Sequence, residues 1–200
     1  MKFSFSKTLD FPPEVSIKCF QNNIEVVRET KLLGVVISDD LKWEANTKYI
    51  CSRAYKKLWI LRRLRVLIDD NSFLVDVYQK EVRSILEFGV PAWHSGLTKL
   101  QSSQIERVQK VAVAIILGKT HLSYSVALKK LGLEILHDRR EKLCLKFAQK
   151  TLKSRHSSMF ERRKSEYDTR RKDPFKESKA NTLRFQMSPL NYLTRLLNRN

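Results

Sequence analysis

Three features of the sequence predict an α+β fold, mainly α, with a small N-terminal antiparallel β unit ahead of a helical bundle. Residues 1–46 hold short, roughly alternating apolar segments broken by Pro and Asn. Residues 47–153 hold apolar side chains at three- and four-residue spacing between clear stops. Residues 154–200 turn to Ser, Arg, Lys and Asn with few aliphatics, which predicts a basic tail, partly disordered.

The β unit comes first. Phe3, Phe5, Val15, Ile17 and Phe20 occupy short strand-like segments, and Phe11-Pro12-Pro13 enforces extension or a turn between them. Asn22-Asn23 is expected to turn, and Ile24 to Val27 and Leu32 to Ile37 are expected to be two more strands. Gly34 falls inside the stronger of these, where a glycine marks a bulge or the close approach of another backbone. Asp39-Asp40 follows. Paired carboxylates at a hairpin tip can hold the two magnesium ions of nucleotidyl transfer, but no third carboxylate and no returning strand follow. A turn and cap is therefore the expectation, with Trp43 packing where helix meets sheet.

The first helix is expected over Thr47 to Ile68. Ile50, Ala54, Leu58, Leu61, Leu64 and Ile68 recur on one side at about 100° per residue. Lys48, Arg53, Lys56, Lys57, Arg62, Arg63 and Arg65 accompany them without one acidic residue. Lys57 and Arg65 land near the apolar stripe and must extend their heads past their own stems. A merely solvated face mixes signs, because like charges four residues apart repel by a few tenths of a kcal/mol. This face calls for an anionic partner. Trp59 falls almost opposite the stripe, where it either stacks on a base or packs against a neighbouring helix.

Asp69-Asp70 with Asn71 and Ser72 offers N-caps for a second helix, about Phe73 to Phe88, carrying Leu74, Val77, Tyr78, Val82, Ile85 and Leu86 inward and stopping at Gly89 before Pro91. Trp93 and His94 then belong to a loop. Thr98 with Gln101 forms a capping box for a helix that carries Ile105, Val108, Val111, Ala112, Ile115 and Ile116 to Gly118, with Arg107 and Lys110 outside. Two more follow, from about Ser125 to Leu131 before Gly132, and from about Asp138 to Leu152 with Leu143, Phe147 and Ala148. Arg162-Arg163-Lys164 and Arg170-Arg171-Lys172 stud the tail, and Ser188-Pro189-Leu190 to Leu197 is a short terminal helix able to dock back.

A chain of 200 residues with 42% hydrophobic content can bury a real core, and its net charge of +18 points to nucleic acid or an anionic surface. Six basic and seven acidic residues before Thr47 nearly cancel, so the excess lies in and after the first helix. Cys19, Cys51 and Cys144 lack C-x-x-C pairing and are expected to be buried thiols of a reducing compartment; the scattered His94, His121, His137 and His156 suggest no zinc site. The longest apolar run, Val111 to Leu117, is too short for a membrane span, and no secretory leader is evident. An intracellular protein, nuclear or cytoplasmic, is expected.

The run Lys31-Leu32-Leu33-Gly34-Val35, continued by Asp40-Leu41-Lys42-Trp43, Ile50-Cys51, Leu61-Arg62-Arg63-Leu64, Val77-Tyr78 and Ile85-Leu86-Glu87-Phe88-Gly89-Val90-Pro91-Ala92-Trp93, resembles the carboxy-terminal part of the reverse transcriptase of non-LTR, LINE-like retrotransposons. The similarity continues through Leu100, Glu106, Gln109, Ala112, Ile115-Ile116-Leu117-Gly118, Leu131-Gly132-Leu133 and Arg139-Arg140 to about Phe160. It implies that residues 1–46 are the end of a palm with its primer grip, Leu33-Gly34 at the core of that grip, and residues 47–153 a thumb. Such a thumb holds the template–primer duplex by its backbone, so the implied partners are RNA, RNA–DNA hybrid or duplex DNA, and no membrane. Lys48, Arg53, Lys56, Lys57, Trp59, Arg62, Arg63 and Gly34 are the implied nucleic-acid contacts. The family's catalytic aspartate hairpin belongs upstream of Met1, and Asp39-Asp40 is not that motif. The resemblance therefore implies no catalytic or metal-binding residue in this chain, no cofactor of its own, and magnesium only in the full-length enzyme. The missing polymerase portion becomes an expected partner, and apolar surface left by its absence an expected cause of self-association. The alternative is a stand-alone helical nucleic-acid- or protein-interaction remnant without catalysis.

Overall fold

The computed structural model describes residues 17–19, 22–24, 27–118, 122–163 and 174–199. It is α+β and mainly α. Two small antiparallel sheets precede the helices: β1 (Ile17–Cys19) with β2 (Asn22–Ile24), and β3 (Glu29–Leu32) with β4 (Val35–Ser38). Two expectations shift here. Asn22-Asn23 lies in a strand, paired so that Cys19 faces Asn22. The expected strand Leu32 to Ile37 is instead folded on itself, with Leu32 opposite Val35 and Leu33-Gly34 as a two-residue turn. Both turn residues have positive φ, 48° and 91°, the combination that matches the twist of a tight hairpin. Gly34 is thus a turn residue, not a strand bulge. A Cβ there would fall 2.8 Å from the Phe88 ring, so the close approach it permits is that of Phe88.

Helix α1 (Glu44–Leu67) begins slightly before the expected Thr47. Asp40 organises the entry: it accepts from the Lys42 N–H at 2.9 Å and the Ser38 hydroxyl at 2.7 Å, and pairs with Lys42. Trp43 packs at the helix–sheet junction against Gly96, where a Cβ would collide with the indole. The buried face of α1, including Ile50, Ala54, Leu58 and Leu61, packs mainly on α5 (Lys99–Leu117), whose Ile105, Val108, Ala112 and Ile116 are buried in turn. Each of the Val, Leu and Ile side chains stabilises the bundle by about 1.5–3 kcal/mol, and each Ala by less.

The expected helix from Phe73 to Phe88 is composite: α2 (Asn71–Val77), a π-helix (Tyr78–Arg83) and α3 (Ser84–Leu86). Asp70 caps it by accepting from the Ser72 N–H at 2.8 Å. In an α-helix each four-residue step drifts by about 40°. The wider π turn reduces that drift and keeps Leu74, Tyr78, Val82 and Leu86 all buried. Trp93 and His94 are not in a loop. They lie in α4 (Val90–Trp93) and a 3₁₀ turn (His94–Gly96), both buried, with Trp93 Nε1 donating to the Phe88 carbonyl. The short helix lacked a sequence signal because a left-handed Gly89 and Pro91, which end the preceding helix, also begin it.

Thr98 and Gln101 form the expected capping box at α5. α6 (Tyr124–Lys130) and α7 (Leu136–Leu152) follow. In α7 the buried stripe is Leu136, Arg140, Cys144, Ala148 and Thr151, whereas Phe147 is about half exposed. Cys51 and Cys144 are buried free thiols, their pKa pushed up by burial to about 11 and about 12; the Cys19 side chain lies outside the described residues. The chain closes with α8 (Leu183–Gln186) and α9 (Pro189–Arg199), and α9 docks Leu193 and Leu196 onto α7 and α4. Phe175 is buried as well, held by paired backbone bonds to the Asn198 amide. The tail thus returns to the core. Lys164 and Arg170-Arg171-Lys172 lie outside the described residues.

Candidate nucleic-acid interface

Lys48, Lys56, Arg62 and Arg63 are exposed on the side of α1 away from α5, and none makes an ion pair among the described residues. From Lys48 to Arg63 they span about 22 Å of helix at 1.5 Å per residue, enough to follow several phosphates. Trp59 lies among them with 59% of its surface exposed. An indole left in water between unpaired cations is available to stack on a base or sugar.

Two depressions shape this face. One is lined by Arg53, Lys56, Lys57, Trp59, Ile60 and Ile85. Lys57 does not simply extend to solvent as its position beside the apolar stripe suggested; it pairs with Glu81 of the π-helix at 2.9 Å. Arg65 is likewise paired, with Asp69. The other depression lies between the β3–β4 hairpin and the first half of α1, where Lys48, Arg53 and Lys56 face Arg28. Acidic Glu29, Asp39, Asp40 and Glu44 share its wall, so the cationic character strengthens toward the C-terminal half of α1. Hydrogen bonds from the Lys42 N–H and Ser38 overcome the effect of burial and hold the Asp40 carboxyl below its ordinary value. Asp40 is a turn residue here, and among the described residues no three His, Cys, Asp or Glu side chains gather to hold a metal ion.

The structure adds Lys31 and Tyr49 to the sequence-derived set. Lys31 on β3 donates to the Tyr49 hydroxyl at 2.6 Å, and Arg53 reaches the same oxygen at 3.4 Å. The Lys31 hydrogen bond, helped by Arg53, holds the Tyr49 phenol below its ordinary pKa. This clasp ties the hairpin to α1, as does the Val36 N–H donating to Asn46 Oδ1 at 3.1 Å. Tyr49 and Arg53 stand four residues apart, so half of the clasp had a helical-spacing signal; Lys31 had none. Arg62 and Arg63 line neither depression, and Gly34 is not brought to this face but sits in its turn against Phe88.

The hairpin tip is a different kind of surface. Leu32, Leu33 and Phe88 are exposed to 57%, 88% and 54%. Among the described residues no helix is long and apolar enough to cross a membrane. Comparison with protein-family models, curated proteins and solved structures returned no match to this chain.

Proposed function

We propose that this chain holds duplex nucleic acid by its phosphate backbone, as the thumb-like part of a retrotransposon-type reverse transcriptase, without catalytic residues of its own. The observation that carries the reading is the row of unpaired, exposed cations along α1 with Trp59 exposed among them. Phosphate-directed cations position a duplex without reading its sequence. Magnesium chemistry on this reading belongs to the polymerase portion. The test is the salt dependence of binding to an RNA–DNA hybrid. Substituting Lys56, Arg62 and Arg63 together by Ala is expected to flatten the slope of log K against log salt by up to about 2.7, since each phosphate no longer neutralised removes about 0.9. An unchanged slope overturns the assignment.

The second reading, a helical interaction remnant that binds a protein or itself, is favoured by the apolar hairpin tip at Leu32, Leu33 and Phe88. It predicts self-association in sedimentation that a Leu32→Ser, Leu33→Ser double variant abolishes. A monomer at all concentrations argues against it.

A further inference from the structure

Arg140 in α7 is an anomaly. Its side chain is fully buried, yet no carboxylate among the described residues lies within ion-pair distance. A buried charge without a counter-ion is expensive, and buried guanidinium groups are ordinarily matched to a carboxylate. The acidic groups whose fields reach it are engaged elsewhere. Glu106 accepts from Tyr124, from Gln109 at 3.3 Å and from the Leu136 N–H at 3.0 Å, and Glu87 pairs with Arg139 and Arg83. Arg140 itself donates from Nε to His94 Nδ1 at 3.3 Å and from Nη2 to the Ser102 hydroxyl at 2.8 Å, both neutral acceptors, while Nη1 has no partner.

Both acceptors line one open cavity, bordered by the 3₁₀ turn after α4, the start of α5, the start of α7 and Tyr192 of α9. Accepting from Arg140 leaves each with its own proton to donate. Burial, with Arg140 and His137, lowers the His94 pKa to about 3 and keeps it neutral, so with Nδ1 accepting from Arg140 its proton is on Nε2. The Ser95 hydroxyl, also in the wall, is buried without a partner. Lys99 and Lys110 stand at the same cavity, exposed and without ion pairs among the described residues, and the only acidic residue lining it is the engaged Glu106.

We propose that this cavity is a phosphate-binding site, in which Ser95, Ser102 and His94 donate to the anion, Lys99 and Lys110 neutralise it, and Arg140 supplies the buried charge behind them. Single donors from two elements, the 3₁₀ turn and α5, suit a phosphate group with its three outer oxygens, and the lysines act as point charges. Leu97, Ile135 and Met187 form an apolar part of the wall beside the polar Thr98, Ser103 and His137, and leave room for an apolar body beside the anion. The site is separate from the cationic face of α1 and does not depend on the function proposed for that face.

The experiment titrates inorganic phosphate against chloride at constant ionic strength, following thermal melting and amide chemical shifts. Saturable stabilisation is expected, with shifts concentrated at His94, Ser95 and Ser102. Because an Arg140 variant risks misfolding, the diagnostic variant is Lys99→Glu with Lys110→Glu, expected to weaken phosphate at least tenfold while the Lys56, Arg62, Arg63 triple alanine variant binds it normally. No saturable response, or equal loss in both variants, overturns the site. A 5′-phosphorylated tetranucleotide competing better than its 5′-hydroxyl counterpart assigns the phosphate to a strand end; equal competition assigns it to a free phosphate compound.

Discussion

The buried Gln109 inside the bundle and the cations outside α1 follow opposite rules. Gln109 is fully buried, and its amide is spoken for on both sides: Oε1 accepts from the Tyr78 hydroxyl at 2.6 Å, and Nε2 donates to the Tyr124 hydroxyl at 3.0 Å and the Glu134 carbonyl at 2.9 Å. Lys48, Lys56, Arg62 and Arg63 make no such bonds among the described residues. In a low-dielectric interior an unmade hydrogen bond costs about 1–3 kcal/mol, whereas an exposed ion pair is worth about 0–1 kcal/mol whether formed or not. The difference teaches that the groups that stabilise the fold and the cations offered for binding on the proposed reading are separate residues, so each can be perturbed alone.

Among substitutions compared at neutral pH, the largest effect on stability is expected from Gln109→Leu. It strands the Tyr78 hydroxyl and the Glu134 carbonyl, and chemical denaturation should register a destabilisation of roughly 3 kcal/mol, with nucleic-acid affinity of the folded protein unchanged. A change within experimental noise would mean that the network is dispensable.

Acid comes next. His94 holds its pKa at about 3, against 6.5 for the free side chain, chiefly because it is buried. The unfolded chain therefore takes up a proton between these values that the folded chain refuses. Its contribution to stability is complete above pH 6.5 and falls on acidification toward about 3, at up to about 1.4 kcal/mol per pH unit. Urea midpoints measured across this range should drop with pH, and His94→Gln, which preserves an acceptor for Arg140, should flatten the drop. Equal slopes for the two proteins would place the acid sensitivity in other groups.

The smallest effect on stability is expected on the outer face. Trp59→Ala should move the melting free energy by no more than about 0.5 kcal/mol. The same change should weaken nucleic-acid binding by about 1–3 kcal/mol if the indole stacks. A variant that melts early but binds normally would reverse the comparison and make Trp59 a packing residue.

Local signals reached far into this fold. The α1 stripe at Ile50, Ala54, Leu58 and Leu61, the Thr98–Gln101 capping box and the Asp70 cap all depend on neighbours within four residues, and all are present. The Leu33-Gly34 turn was also local, but the apolar run around it has the composition of one strand, and the hairpin was hidden by Leu33, a residue that seldom adopts positive φ. The buried face of α7 was hidden for another reason: Leu136, Arg140, Cys144 and Ala148 form its stripe, and an Arg within it disguises the pattern.

The sequence alone determined where the longer helices α1 and α5 run, that α1 carries cations almost without acids, and that charge concentrates beyond residue 47, because periodicity, capping and composition are properties of adjacent residues. Tertiary structure alone decided which charges are available and which are consumed. Lys57 meets Glu81, Lys31 meets Tyr49, and Arg140 meets His94 and Ser102 across 18 to 46 residues of chain. Whether a cation ends beside a carboxylate, beside a hydroxyl or in water depends on how helices pack, and no local pattern encodes that packing.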